Sequence, residues 1–197
     1  EYIKDVFTKV DEFINDPTQL CDCKKVTNAV SSVLNVGSGN FGLLLGGKNT
    51  GKSLMLKQLM RDREKDEMDS ALLLDARLCG IIFSLSMMGT MSLQQKERMS
   101  ERLRTLVLNQ ALVFPSQLLF IQAFVEAHNE HKQTPCIIVD EANLALGSST
   151  PQLKSQTMEV LEQFTCLTKQ KKMNVLLVCS DYAEPSRLQH LGFNTLN

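Results

Sequence analysis

Four compact runs of apolar residues recur along the chain, at 41–45, 71–74, 136–139 and 175–179. None of them shows the alternation of apolar and polar residues that marks a strand with one exposed face. Short continuous runs of this kind predict strands that are buried on both faces of a sheet. The second and third runs lead into the carboxylates Asp75 and Asp140, and the fourth leads into Ser180.

Between these runs the apolar residues recur at helical spacing. The predicted helices are 1–14, 25–36, 51 to 63–65, 92–112, 115–131 and 151–170. Alternating buried strands and helices indicate an α/β fold of three layers, with a parallel sheet of at least four strands flanked by helices. We expect residues 1–40 to form a helical segment that packs on a core formed by residues 41–197. Right-handed crossovers would place the carboxyl ends of all strands at one edge, where such folds bind ligands.

The composition is that of a globular domain, with 197 residues, 43% hydrophobic residues and a formal net charge of −1. Such a charge creates no overall field for nucleic acid or membrane, so nucleic acid is expected only through other domains. No segment is long and apolar enough to span a bilayer. The six cysteines are scattered, and Cys21 and Cys23 lack zinc spacing, so we expect an intracellular protein and no cysteine metal site. Because the chain begins at Glu1, we expect it to be a piece of a longer protein.

The segment immediately after the first apolar run matches the pattern G-x-x-x-x-G-K-[ST] of a phosphate-binding loop, the Walker A motif. Glycines let the backbone curl so that its N–H groups point at phosphate oxygens, and the helix after the loop adds its positive end. Lys52 is expected to reach the β- and γ-phosphates, and the Ser53 hydroxyl to coordinate Mg²⁺. The predicted nucleotide-binding residues are Gly46, Gly47, Lys48, Asn49, Thr50, Gly51, Lys52, Ser53 and Leu54.

The third apolar run ends in two adjacent carboxylates, Asp140 and Glu141, as in a Walker B motif. Asp140 at the strand tip is predicted to hold Mg²⁺, directly or through water. Glu141 is predicted to orient and deprotonate the attacking water, with Lys52 as the other catalytic residue.

Several other residues at the same predicted edge leave more than one interpretation open. In proteins that carry these two motifs a strand normally inserts between the phosphate-loop strand and the acidic-motif strand, so we expect the fourth run there. Ser180 or Asp181 is then a candidate sensor of the γ-phosphate, although ordinary loop capping explains them equally well. Arg77 comes two residues after Asp75 and is either a contact for phosphate or a partner, or a surface arginine. Arg187 is a candidate arginine finger.

The residues after the fourth apolar run indicate which nucleotide base is bound. GTP-specific proteins carry an Asn-Lys-x-Asp type loop after a late strand, whereas this chain has Ser180, Asp181, Tyr182 and Ala183 there. ATP with Mg²⁺ is therefore the predicted ligand.

The two motifs together resemble the additional-strand catalytic-glutamate division of P-loop ATPases, which implies a P-loop NTPase fold and ATPase activity. Within it, the segment 41–53 is similar to the archaeal-type and STAND-like ATPases. The segments 138–145, 167–180 and 191–194 are similar to the NTPase domain of Crinkler-type effectors. That resemblance implies delivery into a host cell, including its nucleus, and coupling of the nucleotide site to a neighbouring effector domain.

The family core usually continues with a fifth strand and a lid that carries arginines acting in trans, whereas this chain stops at Asn197. We therefore expect self-association, or a partner that supplies an arginine. Two functions remain open: an ATPase that turns over, and a nucleotide-dependent signalling switch with little intrinsic hydrolysis.

Overall fold

Four parallel strands form one sheet in the computed structural model, which describes residues 24–34, 37–64, 71–79, 93–109, 116–147, 150–181, 186 and 188. The strands are β1 (Phe41–Leu45), β2 (Ala71–Asp75), β3 (Cys136–Asp140) and β4 (Asn174–Cys179). Their order across the sheet is β1-β4-β3-β2. Each strand lies within one residue of its predicted run, and β4 lies between β1 and β3, as expected from the sequence. The predicted helix 1–14, Cys21, Cys23 and Arg187 lie outside the described residues.

Seven helices surround the sheet in these described ranges. They are α1 (Lys24–Val33), α2 (Lys52–Glu64), α3 (Ala76–Cys79), α4 (Leu93–Asn109), α5 (Ser116–Asn129), α6 (Ala142–Leu146) and α7 (Pro151–Lys169). Five of them match predicted helices with small differences at their ends, whereas the short helices α3 and α6 were not predicted. Among the residues described, no helix has both the length and the apolar character needed to cross a membrane.

The two central strands, β3 and β4, are buried along their whole length. Because successive side chains of a strand point to opposite faces, Ile137 and Leu177 pack into one core with α4, α5 and α7. Their neighbours Ile138 and Leu176 pack into a second core with α1 and α2. Helices therefore cover both faces of the sheet, which confirms the predicted three-layer α/β architecture. It also explains why these strands are continuously apolar in sequence.

The segment that enters β1 is held at the opposite edge of the sheet from the strand tips. The buried Asn174 accepts hydrogen bonds through Oδ1 from Ser38 Oγ and from the Asn40 N–H, both at 2.9 Å. Gly39 has a φ of +63°, and a Cβ at this position would overlap the carbonyl oxygen of Thr168. These contacts fix where β1 begins, and so where it delivers the loop at its carboxyl end.

Candidate functional site

The loop between β1 and α2 leaves the sheet at the edge formed by the carboxyl ends of the strands. Its first residue, Gly46, donates its N–H to the carbonyl of Cys179 at 3.2 Å, which extends the pairing of β1 with β4 by one bond. The loop then turns sharply, with φ values of +61° at Asn49 and +83° at Gly51. The Gly51 carbonyl accepts the Met55 N–H at 2.9 Å, so the loop runs directly into the first turn of α2.

The side chain of Lys52 folds back into the curl of this loop. Its Nζ donates to the carbonyls of Gly46 at 2.6 Å and Gly47 at 2.8 Å. Thr50 Oγ1 donates to the Gly47 carbonyl at 2.9 Å. A Cβ on Gly46 would lie 3.2 Å from both Lys52 Cδ and Thr50 Oγ1, so glycine leaves room for the lysine. The positive charge therefore lies inside the loop.

The remaining residues of the predicted loop differ in exposure. Lys48, Asn49 and Thr50 at its tip are exposed, whereas Ser53 and Leu54 in the first turn of α2 are half-buried. The structure brings all nine predicted nucleotide-binding residues together in one continuous loop and helix start.

The two carboxylates at the end of β3 face different surroundings. Asp140 is only 4% exposed, and its Oδ1 accepts the Glu141 N–H at 3.0 Å. Glu141 is half-buried and adopts a left-handed backbone conformation, with φ 53° and ψ 37°. A side chain other than glycine costs about 1–3 kcal/mol in such a conformation, a strain that is common at functional sites. This turn directs the chain from β3 into α6.

The residue after β4 contacts the second of these carboxylates. Ser180 Oγ donates to Glu141 Oε2 at 2.7 Å, and the Ser180 N–H donates to Asn143 Oδ1 at 3.2 Å. The position of Ser180 results from the insertion of β4 next to β3, which the sequence predicted. Asn143 could not be identified from the sequence, because α6 is too short to show a periodic pattern.

An ion pair lies at the neighbouring tip of β2, where Asp75 is in register with Asp140. Arg77 donates Nε to Asp75 Oδ1 at 2.8 Å and Nη2 to Asp75 Oδ2 at 2.6 Å. Burial raises the pKa of Asp75, but the hydrogen bonds from Arg77 and the charges of Arg77 and Lys57 together outweigh it and lower the pKa overall. The pKa of Arg77 is raised, chiefly by its hydrogen bond to Asp75. Desolvation opposes this shift, and the charges of Asp75, Asp140 and Glu141 add to it. The Arg77 side chain remains 53% exposed.

The oxygen atoms available at this edge suit a magnesium ion that arrives with a phosphate ligand. Mg²⁺ is held in proteins by one or two carboxylates together with substrate phosphates, and the Ser53 hydroxyl and the Asp140 carboxylate are donors of that class. In the described ranges, no three His, Cys, Asp or Glu residues cluster closely enough to hold a metal by themselves.

Comparison with known proteins shows the fold. No protein-family model matches the chain, and no curated protein matches it in sequence. A Walker-type ATPase of Pyrococcus abyssi superposes with a TM-score of 0.55 and 17% identity, over 89% of this chain and 49% of that one. The ORC1 protein of Aeropyrum pernix, solved in complex with DNA, gives a TM-score of 0.51 and 11% identity over 91% and 45%. The chain spans about half the length of these structures and shares their P-loop NTPase fold.

Proposed function

We propose that this chain binds ATP with Mg²⁺ and hydrolyses it to ADP and phosphate. One observation carries the proposal: the insertion of β4 between β1 and β3. It brings Ser180 against Glu141 and, through Cys179, fixes the start of the loop that encloses Lys52. The loop that encloses Lys52 and the carboxylate of Glu141 thereby share one edge of the sheet, which supports the proposed roles of both.

In this proposal the loop binds the phosphates mainly through its backbone. N–H groups of a curled loop and of a helix start attract phosphate oxygens without any side chain. Lys52 would exchange the carbonyls of Gly46 and Gly47 for β- and γ-phosphate oxygens, because its ammonium group already lies inside the loop. The loop residues assigned to this role are Gly46, Gly47, Lys48, Asn49, Thr50, Gly51, Lys52, Ser53 and Leu54.

Three residues outside the loop are assigned to metal binding and catalysis. Asp140, with the loop residue Ser53, would hold the Mg²⁺ ion, which supplies positive charge to the β- and γ-phosphate oxygens. Glu141 would take a proton from the attacking water as general base. Ser180 would sense the γ-phosphate, since it directly follows β4, the strand beside the phosphate loop, and its hydroxyl reaches the Glu141 carboxylate.

The structural neighbours support ATP as the ligand, because one of them is named a Walker-type ATPase. The other neighbour was solved with DNA. For this chain, with its formal net charge of −1, we propose nucleic acid contact only through other domains. The sequence resemblance to archaeal-type, STAND-like and Crinkler-type proteins supports a neighbouring effector domain that ATP hydrolysis would drive. It also supports an intracellular location in a host cell or its nucleus.

The alternative function is a nucleotide-dependent signalling switch with little intrinsic hydrolysis. The observation that favours it concerns Arg77, the arginine at the tip of β2. Both Nε and Nη2 of Arg77 are engaged by Asp75, so this side chain is not poised as an arginine finger in cis. The resemblance to ATPases whose lid carries arginines acting in trans supports the further proposal that fast hydrolysis requires a second copy of the chain or a partner that supplies an arginine.

The Lys52→Ala variant tests the binding site. Loss of a charge-assisted contact of about 1.5–3 kcal/mol is expected to weaken ATP–Mg²⁺ binding by roughly ten- to a hundred-and-fifty-fold. Titration with a fluorescent ATP analogue measures this, and Lys169→Ala serves as the control because it removes an exposed lysine from the far end of α7. Equal affinities of wild type and Lys52→Ala would overturn the proposed site.

A further inference from the structure

We infer that Asn143 is a positioning residue that links the phosphate loop to the Glu141 carboxylate through the Cys179–Ser180 peptide group. The inference rests on the proposed function and assigns a role in it to a residue that neither sequence motif contains. Asn143 lies in the first turn of α6, two residues after Glu141, and its side chain is half-buried.

The link consists of a single peptide group with a partner on each side. The carbonyl of this group, from Cys179, accepts the N–H of Gly46 at 3.2 Å, and Gly46 is the first residue of the phosphate loop. The N–H of the same group, from Ser180, donates to Asn143 Oδ1 at 3.2 Å. A rigid planar unit therefore joins the start of the loop to α6.

The partner of the Asn143 amide determines its orientation. A backbone N–H is only a donor, so the atom that faces it must be the amide oxygen. The Ser180 hydroxyl has one proton and two acceptors in reach, Glu141 Oε2 at 2.7 Å and Asn143 Oδ1 at 3.5 Å. The shorter contact is the hydrogen bond, and Asn143 is left to hold the backbone.

This arrangement restricts where the Glu141 carboxylate lies. Asn143 holds the Ser180 peptide group in place through its N–H, and this places the Ser180 hydroxyl. The hydroxyl then donates its hydrogen bond to Glu141 Oε2. The other oxygen, Oε1, then takes the proton from water. Without Asn143, the peptide group between Cys179 and Ser180 keeps its hydrogen bond with Gly46 but loses the acceptor of its N–H. The Ser180 hydroxyl then no longer holds the Glu141 carboxylate in one orientation. A misplaced general base slows the chemical step without weakening nucleotide binding.

The test compares variants of position 143 in the full-length protein. Asn143→Ala is expected to lower kcat by about three- to tenfold, the effect of one neutral hydrogen bond, and to leave the Kd for ADP–Mg²⁺ within about twofold. Asn143→Asp keeps an oxygen acceptor in place and should recover most of the lost turnover. Asn143→Leu keeps most of the volume without the acceptor, and serves if the alanine variant does not fold. Leu144→Ala, which alters an exposed side chain of the same helix, is the control and should behave as wild type.

A double-variant cycle separates positioning from a general structural effect. In the Ser180→Ala background there is no hydroxyl to present, so Asn143→Ala should cause a much smaller further loss of turnover. Equal losses in both backgrounds, wild-type turnover in both Asn143→Ala and Asn143→Leu, or parallel losses of turnover and ADP affinity would each overturn the inference. If Glu141→Gln abolishes turnover while Asn143→Ala does not change it, only this inference fails. If Glu141→Gln keeps wild-type turnover, or the wild type has none, the proposed hydrolysis fails and this inference with it.

Discussion

Replacing Glu141 with glutamine separates an enzyme from a switch, because the change is small in shape and large in basicity. In the structure, Glu141 Oε2 accepts a 2.7 Å hydrogen bond from the Ser180 hydroxyl, and an amide oxygen accepts the same bond. The strained backbone of Glu141 is unaffected. The variant should therefore fold and bind ATP–Mg²⁺ with near-normal affinity. It loses the proton acceptor, which is worth about a hundred- to ten-thousand-fold in rate, or about 2.7–5.4 kcal/mol of barrier.

The neighbouring Asp140→Asn variant provides a comparison at nearly the same place. An asparagine oxygen still accepts the Glu141 N–H, which lies 3.0 Å from Asp140 Oδ1, so the fold is kept. The negative charge for the metal is lost, and the Mg²⁺-dependent part of ATP affinity should fall by about tenfold or more. Phosphate release measures turnover, and titration with and without Mg²⁺ measures binding. A Glu141→Gln variant that hydrolyses ATP at the wild-type rate would refute the assignment of the base. A wild type that binds ATP but never turns over favours the switch.

Three further predictions concern stability and assembly. Gly39→Ala should lower the free energy of unfolding by about 2–5 kcal/mol, because a left-handed backbone is combined with an overlap at the Thr168 carbonyl. Gly37→Ala should lower it by only about 1–2 kcal/mol, because Gly37 has a φ of +77° but open space around it. Urea unfolding of both variants checks this. The pKa of Asp75 is lowered in the folded state, so its pair with the exposed Arg77 stabilises the fold by under about 1 kcal/mol. This stabilisation is fully present when the pH is above the ordinary pKa of 3.8, and it is lost as the pH falls through the lowered pKa. Asp75→Asn should thus be less stable than wild type at neutral pH and equally stable in strong acid, and a deficit that persists in acid contradicts the pairing. Turnover per molecule should rise with protein concentration, and a rate that stays high and flat at great dilution would exclude an arginine supplied in trans.

The strands β1, β2, β3 and β4 could be predicted from the sequence because they are apolar on both faces. Short, continuously apolar runs of this kind are typical of strands that are covered on both sides of a sheet. The insertion of β4 could be predicted because a strand normally takes this position in proteins that carry these two motifs. The convergence of the loop with the carboxylates could be predicted from the rules of parallel sheets.

The contacts within the site depend on tertiary geometry that no local pattern contains. The hydrogen bonds of Ser180 with Glu141 and with Asn143 join residues 39 and 37 positions apart, whose approach is set by the sheet. The roles of the site residues remain predictions.

The position of β1 in the sheet has a consequence for how the chain is made. Phe41 pairs with Val175, which is 175 − 41 = 134 residues later, and β4 is the strand beside β1 in the described part of the sheet. During synthesis, β1 can pair with β4 only after the more than one hundred residues that separate the two strands have also been made. Pairings this distant in sequence close slowly and leave apolar strands exposed meanwhile. We expect nascent chains that end before residue 174 to bind chaperones through β1, and chains that include the whole of β4 to bind them much less.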